Sequence, residues 1–127
     1  MEFPNKNVLI VDDEELVLNA LRRVLGKENL NIFTTRYKFE AIHIFKKNEI
    51  SVIVSDYRMP VMDGIELLEE VKKISPKTVR ILITGSNDIK EMEASINGCG
   101  VSKIIIKPWY DRELKSSILS AVRIYNE

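Results

Sequence analysis

The sequence predicts a doubly wound α/β domain, and three observations carry that expectation. Five short runs rich in β-branched residues alternate with five stretches whose apolar residues recur at helical spacing. The runs are almost continuously apolar rather than alternating, as strands buried on both faces of a parallel sheet are. Four of them end in residues that carry chemistry, at the edge where open α/β sheets place their ligands.

The first unit is strand, acidic loop, helix. Residues 7–11 (NVLIV) end in Asp12 and Asp13, followed by Glu14 and Glu15. Glu14 and Glu15 complement the dipole of the helix that follows. Its buried stripe is expected to be Val17, Ala20, Leu21, Val24 and Leu25, with Gly26 at its stop. Residues 30–34 (LNIFT) form the second strand, and Ala41, Ile42 and Phe45 mark the next helix, closed by Lys46, Lys47 and Asn48. His43, the sole histidine, falls between stripe positions with no second nitrogen or thiolate nearby, so a surface position is expected rather than a metal.

The third strand lies in the stretch 50–64 (ISVIVSDYRMPVMDG), where Ile50, Val52, Ile53 and Val54 run into Asp56 and a turn closed by proline and glycine. Ile65, Leu68 and Val71 define the following helix face, with Ile74 extending it and Ser75-Pro76 marking the exit. Residues 79–83 (VRILI) form the fourth strand, ending in Thr84-Gly85-Ser86, small enough for close backbone approach to a ligand. Ile89, Met92 and Ile96 outline a short helix ended by Gly98 and Gly100. Residues 103–107 (KIIIK) form the fifth strand, with Lys107 before Pro108, and Leu114, Ile118, Ala121, Val122 and Tyr125 make the last helix.

At 127 residues, 45% hydrophobic and 30% charged, the chain suits one globular domain over residues 1–127. Nineteen basic residues balance nineteen acidic ones, so no general attraction to nucleic acid or anionic lipid is encoded, and direct DNA binding is not expected. Cys99 is the only cysteine and is expected to be a small buried hydrophobe; a lone thiol fits a reducing cytoplasm. Residues 1–7 lack the apolar core of a signal peptide, so export is not indicated and a cytoplasmic location is expected.

Parallel strands joined by right-handed crossovers share one carboxyl edge. Asp12, Asp13, Asp56, Thr84 and Lys107 therefore converge on one crevice although the sequence separates them widely. Three crowded carboxylates repel, so either one holds its proton or a cation joins them. Oxygen ligands with room for water favour Mg²⁺. Phosphate oxygens would complete such a site, with Lys107 neutralising one, Thr84 donating to another and Asp56 as nucleophile.

With VDDEE at residues 11–15, DYRMPVMDG at 56–64, ITGS at 83–86 and KPW at 107–109, the chain resembles the response-regulator receiver domains of two-component signalling from Lys6 onward. The resemblance implies a flavodoxin-like (βα)5 fold with strand order 2-1-3-4-5. It assigns phosphoryl acceptance to Asp56, direct Mg²⁺ binding to Asp13, binding through a water to Asp12, and a backbone carbonyl ligand to Arg58. Thr84 and Lys107 would contact the phosphoryl group, and the Lys107–Pro108 peptide would be cis. The donor would be a sensor histidine kinase or a histidine phosphotransfer protein, with self-catalysis limited to phosphorylation and dephosphorylation of Asp56. An effector and a phosphorylation-dependent second copy are the implied partners, with no membrane partner. No effector domain follows the last helix, so a stand-alone receiver or the front of a longer regulator is expected.

In many members of the family an aromatic residue three positions before the lysine changes rotamer with the switch; here that position is Ile104. Output is therefore expected to run through the loop after Thr84 and the helix of Ile89, Met92 and Ile96, beside a face carrying Lys103, Trp109, Tyr110 and Arg112. Three other functions compete. A Mg²⁺-dependent phosphatase would need a second acid two residues after Asp56, where Arg58 stands. A flavin carrier would need a phosphate cradle where Asp12 to Glu15 would repel it. A degenerate receiver serving as a docking scaffold would not need the full set of acids, hydroxyl and amine.

Overall fold

In the computed structural model, which describes residues 3–60, 62–96 and 100–127, five strands form one parallel sheet. These are β1 (Asn7–Val11), β2 (Asn31–Thr35), β3 (Val52–Asp56), β4 (Val79–Gly85) and β5 (Lys103–Lys107), in the order β2-β1-β3-β4-β5. Helices α1 (Glu15–Leu25), α2 (Lys38–Lys47), α3 (Gly64–Ile74), α4 (Ile89–Ser95) and α5 (Asp111–Tyr125) make the crossovers and the last layer, with a 3₁₀ turn at Ser86–Asp88 before α4. This is the flavodoxin-like, doubly wound arrangement expected from the sequence.

Strand periodicity divides the apolar residues between two cores. Val8, Ile10, Val52, Val54, Ile81 and Ile83 face α1 and α5, where they meet Leu21, Leu25, Leu114 and Ile118. Leu9, Val11, Ile53 and Leu82 face the other way, onto Ala41, Phe45, Leu67, Leu68 and Val71 of α2 and α3. Leu9, Leu21, Leu25, Leu67 and Leu68 are fully buried, each worth about 1.5–3 kcal/mol relative to exposure.

The helices bury wider stripes than the sequence periodicity marked. Leu18 and Leu67, absent from the expected stripes, lie 2% and 0% exposed. Ile74, expected to extend the α3 face, is 42% exposed, because the helix ends there and the chain turns away before another layer covers it. His43 is exposed on α2, as expected. The expectations for Gly98 and Cys99 lie outside the described residues. Gly100 is described, at φ +66°, and a Cβ there would come within 2.7 Å of Arg80 Nη2. The buried Arg80 side chain donates to the carbonyls of Gly100, Pro76 and Thr78, tying the loop before β5 to the end of the sheet away from the acidic crevice.

Two strands extend past their apolar runs. Asp56 pairs in register with Ile83, and Gly85 with Lys107, so β3 and β4 carry their polar residues to the carboxyl edge as strand, not loop. Coverage of β5 departs from the expected two-sided burial. Ile105 is buried against the α5 side, but Ile104 and Ile106 are 36% and 46% exposed on the opposite face. β5 is an edge strand, and the neighbouring α4 has only seven residues. No helix among the described residues is long and apolar enough to cross a membrane.

Candidate functional site

Four strands deliver the site. Asp12 directly follows β1, where its N–H donates to the Thr35 carbonyl at 3.2 Å, extending the ladder by one residue. Its side chain is buried, and Oδ1 accepts from the Glu14 N–H at 2.9 Å, which turns the chain into α1. Asp13 is half-buried, and its carbonyl accepts from Arg36 Nε at 2.9 Å across the loops after β1 and β2.

Asp56 ends β3 with only 8% of its surface exposed. Its carbonyl accepts from Ser55 Oγ at 3.0 Å and lies against Gly64, where a Cβ would come within 2.1 Å of it. Only glycine permits that approach. The Tyr57 N–H donates to the Ile83 carbonyl, and the Tyr57 carbonyl accepts from Gly64 N–H. Between them, Arg58–Met59 pairs antiparallel with Met62–Asp63, and Asp63 Oδ1 caps α3 by accepting from Ile65 N–H at 2.8 Å. The turn after Asp56 is thus tied at both ends.

Lys107 ends β5, and the Lys107–Pro108 peptide is cis, as the sequence resemblance implied. Its Nζ lies 3.1 Å from Asp56 Oδ1 and 3.9 Å from Asp12 Oδ2. Thr84 is buried in β4 with its hydroxyl donating to the Gly85 carbonyl at 3.3 Å, a long contact that a better acceptor would displace. One carboxylate oxygen from each of Asp12, Asp13 and Asp56 falls within 4.8 Å of the others. A cavity of about 650 Å³ opens beside them, lined among others by Asp13, Asp56, Arg58, Gly85 and Lys107.

Burial dominates the electrostatics. It lifts Asp12 from an ordinary 3.8 to about 6; the Glu14 N–H opposes this, the Asp56 charge adds to it, and Lys107 opposes it. Burial likewise raises Asp56 despite the hydrogen bond and charge of Lys107. Burial would lower Lys107, but its hydrogen bond to Asp56 and the charges of Asp56, Asp12 and Glu14 outweigh that and hold it protonated. One ammonium therefore faces more carboxylate charge than it neutralises. Hard oxygen donors with residual negative charge and adjoining open volume fit a hydrated Mg²⁺.

Two arginines add features that sequence reasoning missed. Arg58 enters the sequence argument only through its carbonyl, yet its guanidinium pairs with Asp88 Oδ1 at 3.1 Å and with Glu91 Oε2, and lies 5.6 Å from the centre of the Tyr57 ring. Tyr57 Oη donates to Glu91 Oε1 at 3.2 Å. Arg36, besides holding Asp13, lies over the Tyr37 ring. Exposed arginines carry no periodic signal, and these partners lie 23 to 33 residues away in sequence.

The chain matches the response regulator receiver domain family over residues 8–119. It is 38% identical to the hydrogenase transcriptional regulatory protein HoxA of Cupriavidus necator over 122 residues, covering 96% of this chain and 25% of that protein. It is 32% identical to the transcriptional regulatory protein YvrH of Bacillus subtilis over 115 residues, 90% of this chain and 48% of that one. The chain thus spans a quarter to a half of the length of these curated relatives. Among solved structures, a CheY-like response regulator receiver domain protein from Methanospirillum hungatei superposes with a TM-score of 0.85 at 26% identity, over 95% of this chain and 96% of that one. The fold, the acidic crevice at its carboxyl edge and these matches together place the chain in the response regulator receiver domain family, and so in phosphorylation-controlled two-component signalling.

Proposed function

We propose that residues 1–127 act as a single receiver domain in which Asp56 accepts a phosphoryl group from a phosphohistidine of a sensor kinase or phosphotransfer protein. The observation that carries this reading is the setting of Asp56: a nearly buried carboxylate, 3.1 Å from the Lys107 ammonium, with oxygens of Asp12 and Asp13 within 4.8 Å. Asp13, Asp56 and the Arg58 carbonyl would hold Mg²⁺ directly, and Asp12 through a water. When bound, Mg²⁺ supplies positive charge that neutralises the carboxylates and the incoming phosphoryl oxygens.

The remaining steps belong to the chain's own residues. Asp56 Oδ forms the new O–P bond as the P–N bond of the donor breaks, and the departing imidazole nitrogen takes a proton from solvent. Lys107, already at Asp56, follows the charge onto a phosphoryl oxygen. Thr84 Oγ1 exchanges the Gly85 carbonyl for another phosphoryl oxygen. With the Arg58 guanidinium where a phosphatase would hold its second acid, the domain serves as a phosphoacceptor switch rather than an enzyme for external substrates.

The readout is the face beside β5. Ile104 and Ile106 are the apolar surface there, with Tyr110 78% exposed next to them, whereas Trp109 packs partly buried against the α1 and α5 core. A second copy or an effector would cover this strip in the modified state, in the cytoplasm and without direct contact to nucleic acid. Loading with beryllofluoride and Mg²⁺ or with acetyl phosphate tests the reading. Stoichiometric modification that Asp56→Asn abolishes is expected; no modification, or equal modification of Asp56→Asn, would overturn it.

A further inference from the structure

We propose that the Arg58 side chain is a latch with two positions: in the unmodified protein it ties α4 to the turn after Asp56, and a phosphoryl group on Asp56 draws it off α4. The inference rests on the reading of Asp56 as phosphoryl acceptor and concerns how that event reaches α4 when Ile104 stands where the family's aromatic would.

The geometry is that of a bracket across the mouth of the site. Arg58 lies two residues after Asp56 and lines the same cavity. Its Nε and Nη2 donate to Asp88 Oδ1 at 3.2 and 3.1 Å, and Nη2 also reaches Glu91 Oε2. Asp88 closes the 3₁₀ turn that leads from β4 into α4, and Glu91 lies in the first turn of α4. Tyr57 reinforces the bracket from below, its ring under the guanidinium and its hydroxyl on Glu91. One side chain at the site thus holds both residues that set where α4 begins. Of the described side chains of that short helix only Met92 is fully buried.

Modification of Asp56 changes the competition for the guanidinium. The pairs to Asp88 and Glu91 are solvent-exposed single-charge contacts, the kind that water and salt weaken most. An aspartyl phosphate replaces one carboxylate charge by roughly two on three acceptor oxygens, at the wall of the cavity Arg58 already lines. A planar guanidinium engages phosphate through two parallel N–H donors on two oxygens, a fork its contacts to the single Asp88 Oδ1 and to Glu91 do not make. As Arg58 turns inward, Asp88 and Glu91 lose their shared cation and repel each other. The start of α4 is released, and with it the edge of the Ile104 and Ile106 strip.

The test uses the whole chain with beryllofluoride and Mg²⁺ as the phosphoryl mimic, reading amide hydrogen exchange of residues 89–95 and the Arg58 Nε–H resonance. In the wild type, loading is expected to raise α4 exchange about fivefold, the loss of two exposed charge pairs, and to shift the Arg58 resonance. The double variant Asp88→Asn, Glu91→Gln should show that raised exchange before loading, still load, and gain little more. Arg58→Ala should likewise raise unloaded exchange. Wild-type-like unloaded exchange in both variants, or an Arg58 resonance unmoved in a protein that does load, would overturn the latch. Failure of the wild type to load would instead sink the assignment of Asp56, and the latch with it.

Discussion

Replacing Asp12 by asparagine isolates the electrostatic cost of the crevice. Asp12 is 1% exposed, and burial lifts its pKa from 3.8 to about 6. A displacement of that size corresponds to about 3 kcal/mol of preference for the neutral form in the folded chain. The sign follows from proton counting. Between pH 4 and 6 the unfolded chain has already lost this proton while the folded chain keeps it, so the group's stabilising contribution is complete below pH 3.8 and lost as pH rises through about 6. Asparagine stays neutral throughout and still offers an oxygen to the Glu14 N–H. Without Mg²⁺, Asp12→Asn should therefore match the wild type near pH 4 and exceed it at pH 7.5. The attraction of the Lys107 ammonium, 3.9 Å away, is already contained in that displacement, so the gain at pH 7.5 is about 3 kcal/mol. Mg²⁺ narrows the difference: at a hundred times its dissociation constant it adds about 2.7 kcal/mol to the wild type and less to the variant, which lacks one oxygen anion. Urea unfolding at pH 4, 6 and 7.5, with and without Mg²⁺, reads all these differences, and titrations common to both proteins cancel. A variant no more stable than wild type at pH 7.5 without metal, or an advantage that grows toward low pH, would refute the reasoning.

Gly64→Ala places a methyl 2.1 Å from the Asp56 carbonyl oxygen, so the phosphoacceptor turn must shift; a loss of about 1–3 kcal/mol in thermal unfolding is expected, with beryllofluoride loading impaired as well. Arg36→Ala removes the donor on the Asp13 carbonyl from an exposed position: stability should hold within about 0.5 kcal/mol, while Mg²⁺ affinity, followed by fluorescence of Trp109, falls about tenfold. Ile106→Lys puts a charge on the uncovered face of β5, where it should leave stability within about 1 kcal/mol and abolish any loading-dependent association in sedimentation velocity.

How much of this was legible in the sequence depends on whether a residue announces its own environment. Asp12, Asp56, Thr84 and Lys107 stand out because each interrupts an apolar run, and parallel topology then brings them together without further information. β3 and β4 outrun their apolar runs for the same reason: Ser55, Asp56, Thr84 and Gly85 do not look like strand, yet ladder pairing with β4 and β5 carries the backbone on. Leu18 and Leu67 escaped the expected stripes because a helix lying on a sheet buries a broader face than a minimal repeat marks. The grip of Arg58 on Asp88 and Glu91 has no sequence signal, since exposed charges at any spacing look alike until the fold sets them side by side.

The three isoleucines of β5 teach the converse. Ile104, Ile105 and Ile106 read as a strand buried on both faces, and only Ile105 is. Apolar identity reports which groups water excludes; whether anything covers them depends on the neighbouring layer, and α4 is too short to reach both. An edge strand that keeps Ile104 and Ile106 uncovered carries an association risk that lysine or proline at those positions would remove. Retaining them makes physical sense if covering is conditional, supplied by a partner when α4 is released. The exposed strip and the Arg58 bracket then belong to one device: the bracket fixes α4 beside the strip, and the charge state of Asp56 decides whether it stays.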